Sequence, residues 1–137
     1  DAGMVERCRE KGHAATVRVD ALEHLRGLPD ASLGAIVALQ VVEHLPPPAL
    51  VAFLDLAQEK LRPGGVLVAE TVNPHSPAAL KCFWVDVTHQ HPLFPETLLA
   101  LARGAQLTSA YVFHPNGSGD VERDRFTEGE YALVATR

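Results

Sequence analysis

Apolar positions in this chain are spaced in two ways, every third or fourth residue in some segments and continuously in others. Spacing of three and four is typical of amphipathic helices, whereas short continuous runs rich in β-branched residues are typical of strands. The helical pattern predicts helices at 2–11, 46–61 and 95–103. The continuous runs predict strands at 15–19, 35–39, 66–72, 107–113 and 131–136. Between them, residues 22–25 are expected to form a short turn.

The last two predicted strands follow each other without a predicted helix, which indicates an antiparallel hairpin at the end of an α/β sheet. The run 35–39 is apolar throughout and is bounded by turn-forming residues. Such a run is typical of a strand that is buried on both faces of a parallel sheet. With no internal repeat, we expect one domain over residues 1–137, with Asp1 as the cap of the first helix.

Residues 73–94 form a long connection that is rich in proline and histidine and shows no periodicity. Connections of this length in a compact domain commonly carry function. We therefore expect this segment to form the substrate side of a site.

Composition narrows the classes of function. With 47% hydrophobic and 21% charged residues, the composition is that of a globular protein. The net charge of -5, with lysine and arginine scattered singly, argues against direct nucleic-acid binding, although a partner domain could bring RNA. No apolar run approaches the roughly 20 residues of a membrane span. The two cysteines match no metal-binding spacing and the amino end carries no signal pattern, so a cytoplasmic location is expected.

Two strings carry a resemblance to a known family. Residues 33–45 read Leu-Gly-Ala-Ile-Val-Ala-Leu-Gln-Val-Val-Glu-His-Leu, and residues 60–68 read Lys-Leu-Arg-Pro-Gly-Gly-Val-Leu-Val. Together they closely resemble the middle of class I S-adenosylmethionine-dependent methyltransferases, and the resemblance extends over essentially the whole chain. It implies a Rossmann-like sheet of strand order 3-2-1-4-5-7-6, with S-adenosyl-L-methionine as the cofactor. The runs at 35–39 and 66–72 would then be the fourth and fifth strands.

The same resemblance implies that amino-terminal strands of the family sheet are missing. No Gly-x-Gly-x-Gly loop follows an apolar strand, and the acidic residue that takes the ribose hydroxyls would lie upstream of Asp1. The missing strands would lie between the runs at 15–19 and 35–39, which leaves unpaired strand edges. We expect the missing part to exist upstream. The alternatives are a homodimer through the exposed sheet edge and a first strand located elsewhere.

The resemblance also implies the cofactor-binding residues. Asp20 and Ala21 stand where the family has an acidic residue that accepts a hydrogen bond from the adenine amino group. Gln40 follows the fourth strand and would face the methionine end of the cofactor. A cap of the following helix is an equal alternative for Asp20, and the two roles can coexist. For Gln40 the alternative is a loop residue bonded to its own backbone.

Glu43 and His44 are expected to line the acceptor pocket. In ubiquinone-pathway O-methyltransferases and small-RNA 2′-O-methyltransferases, a Glu-x-x-Glu-His string at this place holds a divalent metal, with a further histidine downstream. Here Gln40 replaces the first carboxylate, which weakens a site for a hard cation. We therefore expect no metal; the alternative is a Mn²⁺ or Zn²⁺ site completed by a downstream histidine.

Residues 82–98 resemble a Phe-x-x-Asp-x-Thr-His-x-x-Pro element of bacterial methyltransferases that act on glycans and nucleotide sugars. The resemblance implies that Phe83 and Trp84 stack on the acceptor and that Asp86 or His89 orients or deprotonates its hydroxyl. His91, where that element usually has a basic residue, and Asn73, after the fifth strand, are also expected at the acceptor. The alternative is that Asp86 and His89 pair only to hold the loop in place.

These expectations combine into methyl transfer from S-adenosyl-L-methionine to a hydroxyl of a small-molecule or glycan-like acceptor. Alignment of the reactants and removal of the acceptor proton are the main requirements of such a displacement. Two alternatives stay open. One is a non-catalytic, methyltransferase-like interaction module, and the other is a metal-assisted O-methyltransferase.

Overall fold

The computed structural model describes residues 2–137, so the predicted cap Asp1 lies outside the described residues. The described chain forms six α-helices, four β-strands and one 3₁₀ turn. The helices are α1 (Ala2–Glu10), α2 (Ala21–Arg26), α3 (Pro47–Lys60), α4 (Pro77–Phe83), α5 (Pro95–Gly104) and α6 (Val121–Asp124). The strands are β1 (Leu33–Leu39), β2 (Leu61–Val72), β3 (Thr108–Phe113) and β4 (Glu130–Thr136), and the 3₁₀ turn is Val42–His44.

The four strands form one mixed sheet in the order β1-β2-β4-β3. β1 and β2 run parallel, and β4 runs antiparallel to both β2 and β3. The predicted α/β class and the terminal antiparallel hairpin are therefore confirmed. The carboxyl ends of β1 and β2 meet at one edge of the sheet, because parallel neighbours end on the same side.

The hydrophobic core lies between one face of this sheet and the helices α2, α3 and α5. Leu50, Phe53, Leu54 and Ala57 recur every three or four residues, so they form one stripe of α3 that packs toward the sheet. The sheet presents alternate residues of each strand to the same core. These residues are Ala38 of β1, Leu67 and Ala69 of β2, and Tyr131, Leu133 and Ala135 of β4.

The opposite face of the sheet is exposed at β1, and two of the strand predictions are wrong. Val37 is 60% exposed and Leu39 is 55% exposed, and Ala38 is the one buried residue of β1, so this strand is not buried on both faces. Residues 15–19 form no strand. The two departures have different causes: within residues 2–137 no strand lies beyond β1 to pair with residues 15–19, and α1 buries none of its residues, so it does not cover the exposed face of β1. The missing amino-terminal strands and the homodimer stay predictions.

Three short helices were not expected from the pattern. Residues 21–26 form α2 instead of a turn, α4 lies inside the connection predicted to be irregular, and α6 lies between the last two strands. Side chains at their starts explain two of them, because Asp20 and Asp120 accept hydrogen bonds from backbone N–H groups of the first turns of α2 and α6. In α4, Pro77 stands at the first helical position, where its fixed φ suits a helix. None of the helices in residues 2–137 is both long and apolar enough to span a membrane.

Candidate functional site

The candidate site begins where β1 ends. Gln40 adopts a left-handed backbone with φ of 54°. Its backbone N–H donates to the Glu70 carbonyl at 2.9 Å, and its side-chain Nε2 donates to Glu130 Oε1 at 3.1 Å. The side chain is therefore bound to β4 and not to its own backbone. This turn redirects the chain at the sheet edge where ligands of open α/β sheets bind.

The 3₁₀ turn that follows buries an acidic side chain. Glu43 is only 1% exposed, and neither of its carboxylate oxygens has a hydrogen-bond partner among residues 2–137. The nearby Tyr131 hydroxyl donates instead to the Leu93 carbonyl at 2.9 Å. Burial, with the Glu43 charge adding to it, raises the pKa of Tyr131. An unpaired buried carboxylate costs several kcal/mol, so this position favours a positively charged partner.

Two histidines stand beside Glu43. The ligand atoms of Glu43, His44 and His89 all lie within 4.8 Å of one another, and we call these residues the Glu43 cluster. The two imidazole rings are 4.6 Å apart and tilted by 53°. The backbone N–H of Gln90 donates to the Glu43 carbonyl at 2.8 Å, which joins the loop after α4 to the 3₁₀ turn. The fold thus brings together two segments that the sequence separates.

His89 is held in place by a hydrogen bond and by a stacked ring. Its Nδ1 lies 2.8 Å from the Phe83 carbonyl, so Nδ1–H donates to that oxygen. The ring stacks on the Phe83 ring with centroids 4.5 Å apart and an angle of 28°. Phe83 itself is only 1% exposed. Phe83 therefore packs against the ring of His89. Contrary to the prediction, it is not available to stack on an acceptor.

Asp86 has Thr88 as its direct partner. Its Oδ1 accepts from the Thr88 backbone N–H at 2.8 Å and from the Thr88 hydroxyl at 2.7 Å. These two hydrogen bonds hold the pKa of Asp86 below its usual range, and the bond from the Thr88 hydroxyl has the larger effect. The other oxygen, Oδ2, lies 3.9 Å from His89 Nε2. The Thr88 hydroxyl in turn lies 3.0 Å from His44 Nδ1.

Trp84 and His91 lie on the surface of the same loop. Trp84 is 65% exposed, with its ring edge-on to Phe83 at 5.3 Å, and His91 is also exposed. Val85 and Val87 beside them are exposed as well. A cluster of exposed apolar side chains next to polar groups is typical of a binding surface.

Asn73 has a structural role at the end of β2, in place of the predicted contact with the acceptor. It is fully buried, and its Nδ2 donates to the carbonyls of Arg125 and Glu128, each at 2.8 Å. Its Oδ1 accepts from the His75 backbone N–H at 3.2 Å. Both amide protons are used within the protein, so Asn73 has none to offer to a substrate.

Asp20 and Ala21 lie at the start of α2. Asp20 Oδ1 accepts from the backbone N–H groups of Leu22 and Glu23, each at 3.0 Å. Asp20 therefore caps α2, which was the alternative role for this residue. Since one oxygen makes both bonds, the cap leaves the other oxygen of Asp20 for a ligand.

A groove of about 400 Å³ opens beside Glu130, the residue to which Gln40 is hydrogen-bonded. It is lined by Val72 at the end of β2, by Ala79 and Cys82 of α4, and by Glu130 at the start of β4. Asn116, Thr127 and Gly129 also line it, and its link to the end of β1 is the hydrogen bond between Glu130 and Gln40.

Three contacts in this region were not predicted from the sequence. Thr88 connects Asp86 to His44, and the Asp-x-Thr spacing, typical of a side chain that bonds to the backbone two residues on, was the available signal. Glu130 binds Gln40, and no local signal announces a contact with a residue so distant in the chain. His75 is hydrogen-bonded to Glu96 and Arg125, and no pattern in the sequence indicated this contact.

The chain is similar in sequence to known methyltransferases. Residues 1–69 match the family described as methyltransferase domain. A ubiquinone biosynthesis O-methyltransferase from Xylella fastidiosa is 36% identical over 64 residues, an alignment that covers 47% of this chain and 25% of that protein. The chain therefore spans about a quarter of the length of the curated relatives that it matches.

Solved structures share the fold. A SAM-dependent methyltransferase from Archaeoglobus fulgidus aligns with a TM-score of 0.78 and 25% identity, covering 98% of this chain and 80% of that one. A SAM-dependent methyltransferase from Thermotoga maritima aligns with a TM-score of 0.70 and 21% identity, covering 97% of this chain and 68% of that one. The sequence match and the shared fold agree, and the chain belongs to the methyltransferase-domain family, among the class I S-adenosylmethionine-dependent methyltransferases.

Proposed function

We propose that the protein carrying this domain transfers a methyl group from S-adenosyl-L-methionine to a hydroxyl of a small-molecule or glycan-like acceptor. The observation that carries this proposal is the Glu43 cluster, which lies directly after β1 at the edge where open α/β sheets bind ligands. A hydroxyl acceptor is supported by the local similarity to the ubiquinone biosynthesis O-methyltransferase.

The cofactor would lie along the start of α2 and the end of β1. Asp20 would accept the adenine amino group through the oxygen that does not cap α2, with Ala21 beside it. Gln40, held by Glu130, would stand at the methionine end. Family membership supports this placement, because the resemblance places the adenine contact just before α2 and the methionine contact at the carboxyl end of β1.

Asp20→Asn tests the adenine contact, because asparagine caps a helix as well as aspartate does. The asparagine oxygen keeps the cap, while its amide nitrogen can no longer accept from the adenine. We expect S-adenosyl-L-methionine affinity, measured by calorimetry on the full-length protein, to fall about tenfold, the value of one hydrogen bond to a charged group.

Thermal unfolding of Asp20→Asn is the control, and its midpoint should match that of the wild type. Undiminished affinity would remove Asp20 from the site. A wild-type protein that binds no cofactor would contradict the transferase proposal and favour a non-catalytic interaction module.

The acceptor would bind beside α4, against the exposed Trp84 and His91 of the loop that follows this helix, with its hydroxyl directed toward His89. Because His89 Nδ1–H donates to the Phe83 carbonyl, its Nε2 is the nitrogen that can accept the hydroxyl proton. Asp86 Oδ2, 3.9 Å from that nitrogen, would orient the hydroxyl or stabilise the imidazolium that forms.

A metal-assisted form of the same reaction is the second candidate, and the unpartnered Glu43 carboxylate is the observation that favours it. One buried carboxylate with two imidazoles suits Mn²⁺ or Zn²⁺ better than Mg²⁺. Glu43, His44 and His89 would hold the cation. Such an ion supplies Lewis-acid chemistry, which lowers the pKa of a bound hydroxyl. His89 is then a ligand and not the base.

Treating the full-length enzyme with EDTA separates the two forms. The metal-assisted form predicts loss of methyl transfer with EDTA and recovery when Mn²⁺ or Zn²⁺ is added back. Cofactor binding, measured in parallel, should be unchanged if EDTA acts only at the Glu43 cluster. Activity that persists after exhaustive chelation contradicts the metal-assisted form and leaves His89 as the base.

A further inference from the structure

We infer that Asp86 and Thr88 are a positioning pair for His44, which they hold with its proton on Nδ1 so that Nε2 is offered to a divalent cation. The inference rests on the cation site proposed for the Glu43 cluster. It assigns a role to Thr88, whose hydroxyl contacts His44 and which has no part in the proposed reaction otherwise.

The direction of the hydrogen bonds follows from counting protons. The Thr88 hydroxyl has one proton and two neighbours, Asp86 Oδ1 at 2.7 Å and His44 Nδ1 at 3.0 Å. Asp86 Oδ1 also accepts the Thr88 backbone N–H at 2.8 Å, so this carboxylate acts as an acceptor toward both groups. The hydroxyl proton therefore points to Asp86. The lone pair of the hydroxyl oxygen is left for His44, whose Nδ1 must carry the proton.

The opposite arrangement is unfavourable. If Thr88 donated its proton to His44, its oxygen would face Asp86 Oδ1 at 2.7 Å with no proton between the two oxygens. An ionised acceptor makes the stronger hydrogen bond, and the shorter of the two distances is the one to the carboxylate. The pair thus selects one tautomer of His44 by electrostatics and not only by packing.

The consequence is a matched orientation of two imidazoles. His89 donates Nδ1–H to the Phe83 carbonyl, and His44 donates Nδ1–H to Thr88. Each ring then has a lone pair on Nε2. Histidines that bind a metal usually donate their other ring N–H to a carboxylate, a backbone carbonyl or a water, and the partner fixes the tautomer. The two partners differ, since one is backbone and the other is a side chain that can be replaced.

Nitrogen NMR of the histidines tests the inference without a metal. In the full-length protein, treated with chelator and held at about pH 8 where imidazole is neutral, His44 should carry its proton on Nδ1. Thr88→Val removes the hydroxyl and should lose this preference, whereas Thr88→Ser should keep it. Thr97→Val, an exposed threonine of α5, is the matched control and should change nothing. A wild-type His44 protonated on Nε2 overturns the inference.

Cobalt titration then tests what the pair does for a cation. Co²⁺ is the probe, and its visible absorption reports coordination by nitrogen and oxygen. Loss of a group that orients a ligand typically lowers metal affinity by about 10- to 100-fold, so Thr88→Val should weaken Co²⁺ binding by that factor. Thr88→Ser and Thr97→Val should bind as the wild type does.

The two failures are distinguishable. Thr88→Val that binds Co²⁺ as tightly as the wild type, while Glu43→Gln abolishes binding, overturns the positioning role and keeps the cation site. A wild type with the expected His44 tautomer but no Co²⁺ binding overturns the cation site, and with it the purpose assigned to the pair. If Thr88→Val fails to fold, Thr88→Ser and the wild type decide the question: His44 protonated on Nε2 in either protein overturns the inference.

Discussion

Replacing the buried glutamate tests the energetic reasoning behind the Glu43 cluster. Glu43 is 1% exposed and its two oxygens have no hydrogen-bond partner among residues 2–137. Leaving a buried charge uncompensated costs about 3–5 kcal/mol, whereas an unsatisfied buried amide costs about 1–3 kcal/mol. Glu43→Gln keeps the shape and removes the charge. Without a cation, this variant should therefore be the more stable protein, by roughly 2 kcal/mol.

A bound cation should reverse the order. At a free concentration 100 times its dissociation constant, a ligand of the native state stabilises that state by about 2.7 kcal/mol. Only the wild type has the carboxylate ligand, so most of this stabilisation should be absent from Glu43→Gln. At about 3 °C per kcal/mol for a domain of this size, the melting temperature should rise by about 6 °C on mutation without a cation. With a cation, the wild type should gain about 8 °C.

The assay is thermal unfolding of both proteins in EDTA and in an excess of Mn²⁺ or Zn²⁺. Glu6→Gln is the matched control, since Glu6 is exposed on α1, and it should follow the wild type in both conditions. The reasoning is refuted if Glu43→Gln is the less stable protein in EDTA and gains as much from the cation as the wild type does.

Two further predictions concern the backbone at Gln40 and the charge of Lys60. At the left-handed Gln40, Gln40→Val should lower the free energy of unfolding by about 1–2 kcal/mol relative to Gln40→Gly, because glycine adopts that backbone freely. Both changes lose the bond to Glu130, so equal urea midpoints would mean that the backbone carries no strain. Lys60 is 4% exposed, and its hydrogen bond to Asp30 at 2.6 Å, followed by that to Glu59, raises the pKa of Lys60. The raised pKa contributes stability that is complete below the unfolded value of about 10.4 and is lost as pH rises through the folded value. Lys60→Met should remove part of this alkaline loss in urea unfolding curves, and the exposed Lys81→Met should not. The remainder comes from buried Tyr131, whose pKa is also raised. An unchanged alkaline slope in Lys60→Met would contradict the reasoning.

The spacing of apolar residues and of turn-forming residues was sufficient to predict some of the helices and strands. The stripe of α3 recurs every three or four residues, and it is bounded by Pro47 at its start and by the Pro-Gly-Gly sequence at residues 63–65 after its end. Two strands that follow each other without a predicted helix were sufficient to predict an antiparallel hairpin, and β4 does pair with β3, although the short helix α6 lies between them. The strings around Gln40 and Arg62 were sufficient to place the chain in its family. Each of these features depends on residues close together in sequence.

Burial could not be determined in the same way. The apolar run in β1 says that these side chains favour a covered surface, but coverage depends on what packs there, and the described helices α2, α3 and α5 cover one face alone. The β-rich run at 15–19 has strand propensity and no strand neighbour, so it makes no ladder. A strand requires a partner, which propensity does not supply.

The sequence by itself determined the family and the order of the main elements, and it singled out the Gln40–His44 turn and the 84–91 loop, from which the fold brings Glu43, His44 and His89 together. Only the tertiary structure decided the contacts of individual side chains. Asn73 uses its amide within the protein, Phe83 lies beneath His89, and Thr88 joins Asp86 to His44 across 44 residues of chain. The physical reason is that a hydrogen bond depends on distances and directions of a few tenths of an ångström. Those are determined by how the loops pack on the sheet, and not by the spacing of residues along the chain.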